Sequence, residues 1–265
     1  MGEVLNTKAF GKNDIRGIFP SEVNTQVFFY AAKGYVAFVL EEFKKANIIK
    51  ATKDLLFTVC MDARTHSPEL KNAIIQGVVS TGANILDLGM APTPLGYFSE
   101  FAKIDPEITK NLKVTGALIV TASHNPKEYN GLKMTFNKQS LNEAQIKEVK
   151  RLSEEIFEKS DGYRHTIKGF CESYDIISNY QNKITDMFGK IETSQNKKIK
   201  VVVDNKEHNT EIANSIMRFV QSKYEKKKYI TVEFKWQLCH FFVFQKHCFF
   251  VKIIKIVFNF KILIK

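Results

Sequence analysis

Val114-Thr-Gly-Ala-Leu-Ile-Val-Thr121 runs straight into Ala122-Ser123-His124-Asn125-Pro126. The first stretch is rich in Val, Ile and Leu and shows no polar alternation, which predicts a strand covered on both faces. Such strands belong to parallel or mostly parallel sheets flanked by helices, whose ligands gather at the carboxyl ends of the strands. Ser123 therefore falls in a loop facing that position, stiffened by Pro126. A serine hydroxyl there is a weak nucleophile unless a base or a metal assists it. On its residues alone it also reads as an ordinary turn serine.

Working outward, the same layered pattern continues. Thr25–Asn47 carries Val27, Phe28, Ala31, Tyr35, Phe38, Val39 and Phe43 at three- and four-residue steps, predicting an amphipathic helix. Leu55–Cys60 is an apolar run of strand length. Ser67-Pro68-Glu69 reads as an N-cap followed by proline at the first helical position, with the helix reaching about Thr81 and Gly82 stopping it. Asn84–Leu88 is a second strand, Thr93–Pro94 opens a helix to about Lys103, and Asn142–Lys159 is a helix with a polar outer face. Strand and helix alternate, so residues 8–160 are expected to form a three-layer α/β/α domain with a mostly parallel mixed sheet.

Lys159–Lys168 reads as a linker, and 170–235 as an incomplete second α/β domain. It comprises a helix at Ser173–Phe188, a strand at Lys198–Asp204, a helix at Thr210–Lys223 and a strand at Tyr229–Lys235. The tail, 236–265, holds phenylalanines and lysines but no acid, glycine or proline. It reads as a segment foreign to the fold, as a membrane-surface stretch, or as a membrane span interrupted by Lys246, Lys252, Lys255 and Lys261.

The formal net charge is +11, yet residues 1–189 carry 23 Lys/Arg against 22 Asp/Glu. The basic excess therefore belongs to the last third, and nucleic acid is not expected as a partner of the rest. Cys60, Cys171, Cys239 and Cys248 show no C-x-x-C spacing, which argues against a zinc ribbon or a disulfide framework. No basic stretch followed by an apolar run opens the chain, and the compartment is read as cytoplasmic, with a membrane role not expected.

Downstream of Ser123 stands Tyr129-Asn130-Gly131-Leu132-Lys133; upstream stand Asp14-Ile15-Arg16-Gly17, Asp62-Ala63-Arg64 and Ala91-Pro92-Thr93-Pro94. Thr121–Pro126 with these four motifs, in this order, resembles the phosphoglucomutase/phosphomannomutase (phosphohexomutase) family over residues 8–160, and thinly over 170–235. The resemblance implies an isomerase of carbohydrate metabolism that moves a phosphoryl group between the 1 and 6 positions of a hexose phosphate. Ser123 is held as a phosphoserine and a hexose bisphosphate is the intermediate. Catalytic residues are then Ser123, Lys133, Arg16 and His124, with Arg16 and Lys133 binding substrate. Lys133 matches the family lysine that helps move the substrate's hydroxyl proton. Read alone, Lys133 is also a solvated surface lysine and Arg16 an ion-pair partner of Asp14. His124 is open between contacting the phosphate, polarising Ser123 and shaping the loop. Thr121, Asn125, Asn130, Asp62 and Arg64 are expected to support the loop, the two asparagines through side-chain to backbone bonds. His66, where related sequences usually have a small polar residue, receives no role.

The resemblance also implies Mg²⁺, bound through the phosphate on Ser123 and through an Asp-Gly-Asp-Gly-Asp-Arg loop that this sequence does not contain. A truncated mutase, inactive as written, is the expectation. The alternative is a catalytically dead sugar-phosphate-binding or regulatory fragment. The preferred sugar is not legible.

Overall fold

A computed structural model describes residues 4–159, 168–188, 199–203 and 230–234. In chain order the elements are β1 (Ile15–Ile18), α1 (Thr25–Lys45), β2 (Leu56–Met61), α2 (Ser67–Ser80), β3 (Asn84–Met90), α3 (Thr93–Phe98) and α4 (Pro106–Thr109). They continue as β4 (Val114–Val120), β5 (Tyr129–Phe136), β6 (Gln139–Ser140), α5 (Glu143–Glu158), β7 (Cys171–Ser173), α6 (Ile177–Phe188), β8 (Ile199–Val203) and β9 (Ile230–Phe234).

The first seven strands form one mixed sheet in the order β1-β5-β4-β2-β3-β7, with β6 paired to β5. β4, β2, β3 and β7 run parallel. β5 returns antiparallel beside β4, and β1 lies antiparallel on the far side of β5. The sheet is covered on both faces. α1, α2 and α5 pack Phe28, Phe38, Leu70, Ile74, Ile146 and Val149 against Phe57, Val59, Ile85, Leu118 and Val120. On the other face α3 lies so close that a Cβ on Gly96 would stand 2.6 Å from the side chain of Ile119 and 3.0 Å from Cys60 Sγ. Each fully buried aliphatic or aromatic side chain contributes about 1.5–3 kcal/mol, so this double layer dominates stability.

Several sequence-based expectations need correction. β1 and β5 are absent from them: β1 has four residues, and β5 interrupts its apolar positions with Asn130, Gly131 and Lys133. Such strands are stabilised by non-local pairing rather than by their own pattern. Ser67 is not the N-cap of α2; that position is His66, and the Ser67 hydroxyl is committed to Asp62 and Asn130 instead. α3 stops at Phe98 rather than near Lys103, and α4 follows with Asp105 as its cap. The stretch after residue 170, assigned above to the second unit, begins with β7 paired in parallel to β3, through Ile85↔Cys171 to Asp87↔Ser173. The chain divides between Tyr180 and Gln181.

In the second unit β8 and β9 pair in parallel from Ile199↔Ile230 to Val203↔Phe234. A parallel pair requires a crossover connection; the helix expected at 210–223 lies outside the described residues, as do the linker at 160–167 and the tail at 236–265. Among the described residues no helix is long and apolar enough to cross a membrane.

α1 is held on both flanks by close helix crossings at glycine. A Cβ on Gly34 would meet Ser153 Oγ at 2.2 Å and the Val149 carbonyl at 2.7 Å on α5. A Cβ on Gly77 of α2 would meet the Phe29 carbonyl at 2.4 Å. Backbone atoms cannot yield as flexible side chains do, so the helices must separate. Gly34→Ala and Gly77→Ala are each expected to cost about 1–3 kcal/mol by overpacking, read from urea unfolding curves. Wild-type stability in both variants would show that these contacts do not set the helix spacing.

Candidate active site

The Ser123 loop joins the carboxyl end of β4 to the start of β5. Ser123 is exposed and sits in the left-handed backbone region at φ +58°. That conformation costs a residue with a Cβ about 1–2 kcal/mol and survives only where its surroundings enforce it. Its own N–H donates to Thr121 Oγ1 at 2.8 Å, and Thr121 Oγ1 donates to Asp62 Oδ2 at 2.9 Å.

Arg64 supplies the main enforcement. Its Nε donates to Asp62 Oδ2 at 3.1 Å. Nη1 donates to the carbonyls of Pro126 at 2.6 Å and Tyr129 at 3.1 Å, and Nη2 to those of Asn125 at 2.8 Å and Ser123 at 3.3 Å. A guanidinium has five N–H donors in a fixed plane, and here all five are spent, four of them on one loop. Asp62 is equally committed, since Oδ1 accepts from Ser67 Oγ at 2.6 Å and from the Arg64 N–H at 3.2 Å.

A second group converges from β1 and β5. Arg16 pairs with Gly131 in the antiparallel register, so alternation puts Asp14, Arg16 and Lys133 on one face. Asp14 Oδ2 accepts from Arg16 Nη2 at 2.6 Å and from Lys133 Nζ at 2.8 Å. One carboxylate thus holds two cations, which keeps them from repelling each other apart and leaves the trio with a net charge of +1. Arg16 Nη1 reaches Asn125 Oδ1 at 3.3 Å, tying this group to the Ser123 loop. Arg16 Nε is buried and has no partner. A buried donor left unpaired costs about 1–3 kcal/mol. Gly131 permits the assembly, because a Cβ there would lie 2.4 Å from the Ile15 carbonyl and 2.9 Å from that of Thr121.

Of the residues singled out from sequence, Ser123, Thr121, Asn125, Asp62 and Arg64 therefore share one network, and Arg16 and Lys133 share Asp14. His124 is exposed, with Nδ1 3.3 Å from Ser123 Oγ. The backbone bond expected of Asn125 is not the one that forms, for its side chain takes Arg16. Asn130 Oδ1 does accept from a backbone group, the Gly131 N–H at 2.8 Å, while its Nδ2 donates to Ser67 Oγ at 2.9 Å and to His66 Nδ1 at 2.8 Å. Sequence reasoning missed the second cation on Asp14 and the roles of Ser67 and His66. The period-two spacing of Asp14 and Arg16 is the signal that could have found the first, once β1 and β5 were known to pair.

No cluster of three or more metal-ligating side chains lies among the described residues. Asp62 is filled by hydroxyl and guanidinium donors, and Oδ2 of Asp14 by two cations. A phosphoryl group on Ser123 would add oxygen ligands of the kind Mg²⁺ takes.

Residues 7–160 match the family model described as phosphoglucomutase/phosphomannomutase, alpha/beta/alpha domain I. The chain is 29% identical over 200 residues to a phosphoglucomutase/phosphomannomutase of Thermococcus kodakarensis, covering 74% of this chain and 39% of that protein. It is 28% identical over 200 residues to the phosphomannomutase/phosphoglucomutase of Pseudomonas aeruginosa, covering 76% and 37%. It is 32% identical over 156 residues to a phosphoglucosamine mutase of Alkaliphilus metalliredigens, covering 59% and 29%. The chain thus spans about two fifths or less of the length of these curated relatives. A crystal structure of a phosphoglucomutase/phosphomannomutase family protein from Burkholderia thailandensis superposes with a TM-score of 0.64 at 21% identity, covering 87% of this chain and 44% of that one, a likeness of fold. With the family model spanning more than half of its residues, the chain belongs to the phosphoglucomutase/phosphomannomutase family.

Proposed function

We propose that Ser123 carries a phosphoryl group and exchanges it with a hexose phosphate in the cytoplasm, by way of a hexose bisphosphate. The observation that carries this reading is the convergence of Arg16 and Lys133 on Asp14, with Arg16 also bonded to the Ser123 loop. Phosphoryl transfer asks a protein mainly for positioning and for cations around the equatorial oxygens.

In the forward step the Ser123 Oγ–P bond breaks as a P–O bond forms to a sugar hydroxyl. The hydroxyl gives up its proton and the seryl oxygen takes one up, so charge and protons balance. Lys133, held as an ammonium by Asp14, serves as a cation and hydrogen-bond donor to the phosphoryl oxygens. The exposed His124 imidazole, within hydrogen-bond distance of Oγ, takes the proton that the sugar hydroxyl gives up and passes it to the seryl oxygen. In the return step the opposite phosphate of the bisphosphate passes to Ser123. Mg²⁺ would supply Lewis-acid stabilisation on the phosphoryl oxygens when bound.

Two outcomes are expected. Incubated with glucose 1,6-bisphosphate and Mg²⁺, the chain takes up one phosphoryl group on Ser123, located by peptide mass mapping and abolished in Ser123→Ala. Arg16→Ala or Lys133→Ala slows uptake about 10²–10³-fold, as loss of one preorganised charge does. Uptake that persists in Ser123→Ala would sink the reading, and a chain that binds the bisphosphate without uptake would favour a binding fragment. Separately, Arg64→Lys keeps the charge but cannot serve five acceptors. Unfolding stability should fall by about 1–3 kcal/mol and uptake should slow about tenfold or more through misplacement of Ser123. Unchanged thermal unfolding and uptake would remove Arg64 from the positioning of the loop.

A further inference from the structure

His66 takes no part in the transfer proposed above, yet it is buried between the Ser123 loop and the start of β5. Its ring stacks on Phe19, with centroids 4.7 Å apart and planes 17° from parallel. Nε2 lies 3.0 Å from the Lys127 carbonyl and Nδ1 lies 2.8 Å from Asn130 Nδ2. A carbonyl only accepts and an amide nitrogen only donates. The ring must therefore carry its proton on Nε2 and present a lone pair at Nδ1.

The neighbours fix this polarity. Asn130 Oδ1 accepts from the Gly131 N–H at 2.8 Å, so turning the amide would set donor against donor there. Asn130 Nδ2 also donates to Ser67 Oγ, whose own proton goes to Asp62 Oδ1. The bonds thus run one way, from Asn130 into His66 on one side and through Ser67 to the Asp62 carboxylate on the other. A second proton on the ring points N–H at N–H, whichever way Asn130 is turned one such clash remains, and a buried polar group loses its partner.

The charged residues on the packed elements are Arg16 on β1, Glu22 beyond Phe19, Asp62 and Arg64 ahead of α2, Glu69 and Lys71 on α2, Lys127 and Glu128 in the loop, and Lys133 on β5. Asp62 and Arg64 are bonded to each other at 3.1 Å. Among the described residues none forms an ion pair with the imidazole, so no carboxylate receives the extra proton.

We propose that His66 is a positioning residue for the Ser123 loop that works only as the neutral Nε2–H imidazole, and that a second proton releases the anchor at Asn130. The functional meaning rests on the phosphoserine reading; the structural claim does not. The amides to watch are those held through this anchor: Gly131 N–H on Asn130 Oδ1, Thr121 N–H on the Gly131 carbonyl, and Tyr129 N–H on the Pro126 carbonyl.

The test uses the full ¹⁵N-labelled chain. Imidazole ¹⁵N shifts at neutral pH are expected to show His66 protonated on Nε2 and bare at Nδ1. Amide exchange at Thr121, Tyr129 and Gly131, corrected for its intrinsic pH dependence, should rise about fivefold or more between about pH 7.5 and 5.5, because an imidazole freed by opening of the loop accepts a second proton that the closed geometry does not accommodate. His66→Gln does not titrate in this range and should show a flat profile. The Nδ1–H tautomer, a flat wild-type profile, or an equal rise in His66→Gln would each overturn the proposal. If His66→Gln fails to fold, the tautomer and the wild-type profile decide alone. None of these readouts needs phosphoryl uptake, so a chain that responds as expected but never takes up phosphate would refute only the phosphoserine reading.

Discussion

The five hydrogen bonds of the Arg64 guanidinium are the constraint on which the site depends. Four carbonyls of one loop, from Ser123 to Tyr129, turn toward a single planar cation, and its fifth donor is tied to Asp62. Ordering a backbone residue costs about 1–2 kcal/mol, and Ser123 adds the strain of a left-handed conformation. A few isolated hydrogen bonds at about 1 kcal/mol each would not offset both. A charged donor that meets several acceptors at once does better, since charge-assisted bonds are roughly twice as strong. The geometry follows from topology. β2 and β4 are parallel neighbours, and the Asp62 N–H continues their ladder by donating to the Val120 carbonyl at 2.9 Å. The segments leaving both strands therefore emerge side by side, one bearing the cation and the other the loop.

The antiparallel edge contributes the other half. Because β5 turns back beside β4 and β1 pairs on its outer side, Gly131 lies between the Thr121 carbonyl and the β1 backbone. The short motif from Asn130 to Lys133 then divides into three physical jobs. Asn130 anchors inward to Ser67 and His66, Gly131 lets three strands approach, and Lys133 reaches Asp14. Asp14 lowers the repulsion between two cations without neutralising them. A surface ion pair of this exposure adds little to stability, so its value lies in holding the cations in a fixed relation.

These relations explain what was legible in the sequence. β2, β3, β4, α1, α2 and α5 declare themselves because each buries a continuous face and its apolar pattern is local. The serine loop was placed at the carboxyl end of β4 for the same reason. β1, β5 and β7 were not, since four, eight and three residues of mixed polarity are strands only because a neighbour supplies the pairing. The site failed in the same place. Ser123, Arg16 and Lys133 stand in recognisable motifs, but that Asp14 joins two of them depends on the β1–β5 register. His66 stood out only as a departure from related sequences, and its role was not legible because it is defined by partners 61 and 64 positions away.

A serine fixed this firmly has a consequence for the proposed reaction. If the same Ser123 gives a phosphoryl group to one end of a sugar and later receives one from the other end, the loop cannot follow the substrate. The bisphosphate must turn over between the two transfers while the serine stays in place. The cations must then serve either phosphate with similar strength. A deep, shape-matched anion socket would hold one orientation and slow the exchange, since groups that bind ground states tightly do not speed the step between them. Arg16 and Lys133 are suited to the opposite task. Their side chains are 25% and 22% exposed, they share one counter-ion, and between them they offer a planar fork and a point charge rather than an enclosed site. Rigidity is concentrated in the Arg64-held loop and tolerance in the Asp14-bound pair, and that division is what a fixed phosphoryl carrier with a turning substrate requires.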